Sequence, residues 1–513
     1  MKDQGGMMNL IGLDIGTTGC KASLFAKDGC LLASASREYT VDLPRPGWAE
    51  QDPERVWSLA QAVLQEIVNV SGQTVIAAIG LSVQGEAITA VDANGRALRP
   101  MILGMDTRTA AQNEWLKEQW GERPLFERTG MPIHTINTLP KLLWLKEHEP
   151  VIWQKAYKFL LYEDFFIYKM TGQAVISRCL ASRTQLYDIH QRQWSAEILD
   201  QLGLDAFRLS RVVDSGTAVA PMHREMALQL GLSNRPLIVT GGHDQACGAL
   251  GAGLIEPGLA MVSTGTAEVV EVALDSPNLD ESLFAGNISV YEHVVPGLFL
   301  AMTLNHSGGL LLRWFRDVFC AEEIALAQQT GGDAYDLVLQ EACETPTSLL
   351  LLPHFAGSGT PTFDTQSRGA VLGLDFSTRK VDIAKAILEG LTFELRLNLD
   401  LLKAGGVHID ELRAIGGGAR SPLWLQIKAD ITDIPVAVPQ VTEAAGWGAA
   451  LLAGLGAGVF VDVKTAVTQS VRFSHTYLPQ SEQKQRYLEQ YQLYRDVYPA
   501  TQSIHHRLNG LEK

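Results

Sequence analysis

The feature that most limits the possible folds is a pattern that occurs twice: an apolar strand, a short Gly/Thr turn and a second apolar strand. Its first copy is residues 10–25, LIGLDIGTTGCKASLF, and its second is residues 260–272, AMVSTGTAEVVEV. Leu10, Ile11 and Leu13 before the first turn, and Ala22, Leu24 and Phe25 after it, have the β propensity of buried strands. Glycine at the bend permits positive φ and close approach of a ligand to the backbone. Successive N–H groups in such a turn make an anion-binding concavity, and Thr17, Thr18, Thr264 and Thr266 add hydroxyls. Either copy alone reads equally well as an ordinary hairpin. One copy in each half implies a duplicated α/β architecture closing on one nucleotide. Asp14 ends the first strand beside its turn. A carboxylate there repels phosphate unless a cation intervenes, which points to Mg²⁺. Lys21 adds positive charge nearby.

A chain of 513 residues is too long for one core. It divides into a first domain over 1–254, a second over 255–480, and a helix and tail over 481–513, frayed from His505 on. Strand and helix alternate after the first hairpin, with a third strand over 30–39, a helix from Pro53 and a strand over 75–81. Sheets of this kind bind ligands at the carboxyl ends of their strands. Gln84, Gly85 and Glu86 fall at such an end. Asp106 and Arg108 follow the apolar run 101–103; they can bind a polyhydroxylated molecule or form a buried ion pair. Residues 135–138 offer another rim. The helix expected over 160–171 carries Glu163 and Asp164 early, where the dipole favours carboxylates.

In the second half of the pattern, the strand 237–240 runs into GGHDQACGALGAG, a small-residue helix suited to close packing. Asp244 at its start can take a proton from an attacking hydroxyl, or simply cap the helix. His243 reads as structural. NHSGG (305–309) precedes an apolar helix. GGGARS (416–421) lies between a strand and a helix, with Ser421 as N-cap and Pro422 in the first turn. The triple glycine can admit adenine or ribose, or form a tight structural turn.

Composition narrows the partners. Lys plus Arg is 42 and Asp plus Glu is 57, a formal net charge of −15, which opposes general nucleic-acid binding. Cys20, Cys30, Cys179, Cys247, Cys320 and Cys343 have no zinc spacing and read as reduced thiols. The N-terminus has no apolar signal core. The longest Ala/Gly/Leu stretch, 444–460, is interrupted by Trp447 and glycines. A cytoplasmic protein with no membrane partner is expected.

These motifs, in this order, resemble the FGGY family of carbohydrate kinases: GLDIGTTGCKASLF, GLSVQGE, GGHDQACGALGAG, STGT, NHSGG and GGGARSPLWLQIKAD, spread over residues 9–460. The resemblance implies an α/β fold, the duplicated two-domain actin-like ATPase (ribonuclease H-like) architecture with a central cleft. It implies ATP and Mg²⁺, a small sugar as partner, and leaves a homodimer open. By the same resemblance, Asp14 would organise Mg²⁺ together with Asp244, the catalytic base. Thr17, Thr18, Lys21, Thr264, Gly265 and Thr266 would face the phosphates. Gly309, Gly417, Gly418 and Ser421 would line the nucleotide pocket, and Gln84, Glu86, Asp106 and Gln245 the sugar.

The run of motifs is most similar to the xylulose kinase branch, which however usually carries Met-His where this chain has Gly85-Glu86. Glycerol kinases have Arg-Glu there and a Trp before the later Asp motif, in the region of Gly104 and Met105. Losing the Arg and the ring favours a substrate larger than glycerol. Glu86 disfavours a sugar acid unless Arg108 offsets its charge. The expected reaction is phosphorylation of a ketopentose such as D-xylulose to xylulose 5-phosphate. L-xylulose, another ketose, a polyol or gluconate are the alternatives. An ATPase switch or a non-catalytic sugar-binding regulator would be a different class; the cluster of Gln84, Asp106 and Asp244 with the GGGARSPLW segment argues against the first, and the retention of Asp14 and Asp244 against the second.

Overall fold

The computed structural model describes residues 9–71, 75–342, 345–441 and 443–511. Cys343 and the segment before Asn9 lie outside them.

The first hairpin is β1 (Asn9–Ile15) and β2 (Gly19–Phe25), followed by β3 (Leu31–Glu38), helix α1 (Pro53–Ser71) and β4 (Ile76–Val83). Later come β5 (Ala218–Pro221), β6 (Leu237–His243) and helix α2 (Asp244–Gly251). The second hairpin is β7 (Gly258–Thr264) and β8 (Glu268–Leu274), followed by β9 (Ser289–Glu292) and β10 (Phe299–Asn305). Then come helix α3 (Lys380–Ala404), β11 (Ile409–Ile415), α4 (Pro422–Thr432), β12 (Val436–Pro439), α5 (Ala444–Gly456), β13 (Phe473–Tyr477) and α6 (Ser481–Leu511).

The first sheet has six strands in the order β5-β6-β4-β1-β2-β3, the second seven in the order β9-β10-β8-β7-β11-β12-β13. Read from the hairpins outward, they are the same sheet. In the first, β1 pairs antiparallel with β2 and parallel with β4. In the second, β7 pairs antiparallel with β8 and parallel with β11. An antiparallel edge strand, β5 or β13, closes each far side. This is the duplicated architecture that the resemblance implied, and β9 is an addition outside the repeat.

The two copies are fastened by α2 and α5, which follow equivalent strands. A Cβ on Gly251 would lie 1.9 Å from the Ala444 carbonyl oxygen, and one on Gly448 would lie 1.9 Å from that of Cys247. Helix α5 also lies on the first sheet. A Cβ on Gly12 would come within 1.8 Å of the Gly446 oxygen, and one on Gly80 within 2.0 Å of the Ala449 oxygen. Helix backbone thus meets strand backbone, a contact open only to glycine. Trp447 of α5 is fully buried, with its ring centroid 4.9 Å from that of Phe25.

One expectation is met with a refinement and one needs correction. The helix expected over 160–171 runs Tyr162–Thr171, with Glu163 and Asp164 in its first turn. Both carboxylates are buried. Glu163 accepts the Ser177 and Gly241 N–H groups at 2.8 and 2.7 Å, and Asp164 accepts the Ser210 hydroxyl at 2.6 Å. Burial pushes their carboxyls up to about 7 and about 8. The tail does not fray at His505. Helix α6 continues to Leu511, His505 is buried, and His506 meets Asp364 at 2.7 Å.

Candidate active site

The carboxyl ends of β1, β4 and β6 bring the first cluster together. Asp14 pairs in register with Ser82, whose hydroxyl donates to its carboxylate at 2.6 Å. Burial, partly offset by that bond and by Lys21, pushes the Asp14 carboxyl up to about 6. At the turn beside it, Tyr39 OH donates to the Gly16 carbonyl at 2.7 Å, Gln51 donates to that of Thr17 at 3.0 Å, and the Tyr39 N–H to that of Thr18 at 2.9 Å. The carbonyls are occupied, while the N–H groups of Thr17 and Thr18 have no acceptor among the described residues. That is the polarity an anion site requires.

Three residues assigned to ligands are committed to protein. Gln84 accepts the Thr17 hydroxyl at 3.3 Å and donates to the Gly16 carbonyl and to Gln51, each at 3.2 Å, so it braces the turn rather than facing a sugar. Lys21 does not stand free at the phosphate turn: its ammonium lies 2.9 Å from both oxygens of Glu443, just before α5. Asp106 is fully buried. It accepts the Ala49 N–H at 2.6 Å and two guanidinium nitrogens of Arg108 at 2.7–3.0 Å. Of its two readings, the buried ion pair is the one observed. Arg108 is sandwiched over Trp48 at 3.7 Å and Trp144 at 4.9 Å, and also reaches Glu50 at 2.8 Å.

Glu86 is therefore not balanced by Arg108. Its partner is Arg183, with Nε 2.5 Å from Oε1, both side chains almost wholly buried. Arg183 lies over the Tyr291 ring at 4.4 Å, and the Tyr291 hydroxyl donates to Glu271 at 2.5 Å. Glu86 has φ 57°, and its carbonyl receives Lys141 Nζ and the Thr138 hydroxyl, each at 3.1 Å. Burial lowers the Lys141 ammonium to about 7, against the pull of Glu86 and Asp106. Glycines let neighbouring groups pack closely around Glu86. A Cβ on Gly85 would lie 2.9 Å from the His243 ring, and one on Gly104 would lie 3.6 Å from Glu86 Oε2.

Asp244 heads α2, inside its first turn rather than as its cap. Its Oδ1 accepts the Gln245 N–H at 2.7 Å and lies 3.2 Å from His243 Nε2, and its side chain keeps 29% exposure. Burial, and then the Asp14 charge, push its carboxyl up to about 7. Burial, with Arg183 adding to it, holds His243 well below its usual value, so the ring is neutral. The side-chain oxygen of Gln245 has no partner among the described residues. The arrangement couples a proton acceptor near neutrality to a second carboxylate.

Asp14 and Asp244 are the carboxylates that fit Mg²⁺: the charge of Asp14 is felt by Asp244. Mg²⁺ favours one or two carboxylates, with water and phosphate completing the shell.

The second cluster surrounds the turn at Gly265 and Thr266, both exposed. Thr264 is turned inward, against expectation: its hydroxyl donates to Glu268 at 2.7 Å, and Glu268 is ion-paired with the buried Lys428. The Gly309 N–H donates to the Gly265 carbonyl at 2.7 Å. Gly416, at φ 82°, would place a Cβ 2.6 Å from the Thr264 carbonyl oxygen, and Gly418 would place one 2.7 Å from Thr264 Cβ. Gly417 is more open, its nearest atom 3.9 Å away. Ser421 caps α4, accepting the Trp424 N–H at 3.3 Å. Three glycine segments thus converge on one turn. Sequence reasoning missed Arg183, Lys141, Glu271 and Glu443, each joined to the site only through long-range contacts.

Comparison with known proteins agrees with this geometry. Residues 9–251 match the N-terminal domain of the FGGY family of carbohydrate kinases, and residues 260–457 match its C-terminal domain. A xylulose kinase of Bacillus subtilis is 30% identical over 99% of this chain and 100% of its own. A gluconokinase of the same organism is 29% identical over 93% of each chain. The crystal structure of a xylulose kinase from Rhodospirillum rubrum superposes with a TM-score of 0.86 at 26% identity, over 97% of this chain and 100% of that one. No helix among the described residues is long and apolar enough to cross a membrane. The chain belongs to the FGGY family of carbohydrate kinases, phosphotransferases that use ATP and share this two-domain actin-like fold.

Proposed function

We propose that the protein phosphorylates a ketopentose such as D-xylulose, giving xylulose 5-phosphate, with Asp244 as the general base. The observation that carries this is the Asp244 carboxyl, partly exposed at a helix start and poised at about 7. A base near the working pH accepts the hydroxyl proton as the oxygen attacks phosphorus. Phosphoryl transfer otherwise depends on positioning and charge neutralisation. The free N–H groups of Thr17 and Thr18, with Thr266 at the second turn, supply donors to the phosphates. Asp14 and Asp244 would hold Mg²⁺, which when bound neutralises phosphate charge. Gly417 leaves room for the flat parts of the nucleotide, while Gly416 and Gly418 let the segment pack on Thr264 and the Gly309 N–H holds the turn. Glu86 Oε2 and Gln245 offer acceptors to the sugar hydroxyls. The likeness to full-length xylulose kinases supports the choice of sugar.

A second reading is gluconate or another ketose or polyol. It draws on the Arg183–Glu86 pair, which neutralises the charge that would repel a sugar acid. A coupled kinase assay over pentuloses, hexuloses, polyols and gluconate decides between the two. D-xylulose should give the highest kcat/KM. A higher value for gluconate overturns the choice of sugar, and ATP hydrolysis indifferent to every sugar overturns the kinase reading.

A further inference from the structure

We propose that a second cavity, in the C-terminal half, binds a neutral polyhydroxylated molecule and communicates with the turn at Gly265. The cavity has a volume of about 390 Å³ and shares no lining residue with the candidate active site. Three separate segments enclose it: α3, the loop from His354 to Thr362, and the face of α6 that carries Tyr491, Tyr494 and Tyr498.

Its polar groups are buried and incompletely satisfied. Glu394 is 6% exposed; one oxygen accepts the Tyr494 hydroxyl at 2.6 Å and the other accepts nothing from the described residues. His354 is 5% exposed, and its Nδ1 lies 2.7 Å from the Ser367 hydroxyl. Its Nε2 has no hydrogen-bond partner among the described residues, although Glu394 Oε1 lies 3.4 Å away. A buried imidazole nitrogen left without a hydrogen bond is costly, so its persistence at a cavity points to a ligand that completes it. The chemistry of the walls defines its class. Tyrosine rings with Leu397 and Leu401 present apolar faces to C–H groups, while a carboxylate and an imidazole receive and donate hydroxyl hydrogen bonds. Glu394 and Asp400 outnumber Arg495 in the lining, so a phosphate ester is disfavoured.

The cavity is joined to the second turn through hydrogen bonds. Thr360, which lines it, donates its N–H to the Leu304 carbonyl at 2.8 Å, and its hydroxyl accepts the Leu304 N–H at 3.1 Å. Asn398, beside Leu397, donates to Asn305 at 2.8 Å. Residues 305–309 then run directly to Gly309, whose N–H holds Gly265. A ligand that fixes Thr360 and Leu397 fixes the strand end supporting that turn.

Isothermal titration of the full chain with xylitol, D-xylose and D-glucose, and with D-glucose 6-phosphate as control, tests this. At least one neutral probe should bind. Its affinity should fall tenfold or more in Glu394→Gln and be lost in Thr362→Trp, an exposed position at which the new ring covers the mouth. Binding in the presence of the probe should change the KM for ATP in the wild type and not in Thr362→Trp. Three results overturn the proposal: no binding by any neutral probe, binding unchanged in both variants, or equal binding of the phosphate ester. Probe binding lost in Thr362→Trp while the KM for the sugar substrate stays at its wild-type value separates this site from the sugar site of the catalytic reading, and a sugar KM that rises in parallel also overturns the proposal.

Discussion

The two hairpins are copies in topology and opposites in chemistry. At the strand ends of the first half stand charged side chains: Asp14, Glu86 with Arg183, and Asp244. At the equivalent ends of the second half stand glycines, Gly265, Gly309 and Gly416 to Gly418, while the nearest carboxylate, Glu268, is withdrawn into an ion pair with Lys428. A duplicated fold supplies two sets of strand ends, and here one set offers side chains and the other backbone. Groups that move protons need tuned environments, whereas groups that grip phosphate and base need close approach.

The sharpest break of that comparison is Asp244→Asn. It should lower kcat about 10³-fold, within the range for loss of a general base, and leave the KM for ATP nearly unchanged. Steady-state kinetics with both substrates varied would show it, and a matching rise in the ATP KM would mean the halves do not divide the labour. Next in size, Arg183→Met strands the buried Glu86 charge and should cost about 3–5 kcal/mol of stability, read by urea denaturation. Glu86→Gln in the same chain should recover much of it. Gly416→Ala tests the other half. Its Cβ would meet the Thr264 carbonyl at a positive φ, and the ATP KM should rise roughly tenfold with the sugar KM unaltered. The pH profile follows from the raised Asp244 carboxyl. Its basic form is lost below about 7, so kcat/KM for the sugar should fall roughly tenfold per unit below that and level off above. Smallest of all, Lys21→Met removes a half-exposed bridge to Glu443 and should shift stability by less than about 1 kcal/mol, visible as a small change in Tm.

What could be read from the sequence was whatever is local. The hairpins, the strand-to-helix turns at Asp244 and Ser421, and the small-residue helices announce themselves through residues a few positions apart. Asp106 shows where that stops. Asp-x-Arg is visible, yet whether the pair faces a ligand or each other depends on Trp48, Trp144 and Glu50 closing over it. Glu86 and Arg183 are 97 positions apart, and Lys21 and Glu443 are 422 apart, so no spacing could join them. The tail was legible as a helix, but its docking face went unread: Tyr487, Tyr491, Tyr494 and Tyr498 recur at helical spacing and dock on α3.

Helix α5 has a consequence for how this protein is made. The face of the first sheet that carries Gly12 and Gly80 is covered by a segment from far down the chain. A nascent polypeptide stopped at residue 254 would hold that face bare, with Leu10, Ala78 and Val239 open to water. The core built from residues 11–238 needs nothing from later in the chain, but closure of that face must wait until residue 456 has left the ribosome. A fragment cut between the halves should need its missing piece supplied in trans, or a chaperone, to stay out of inclusion bodies.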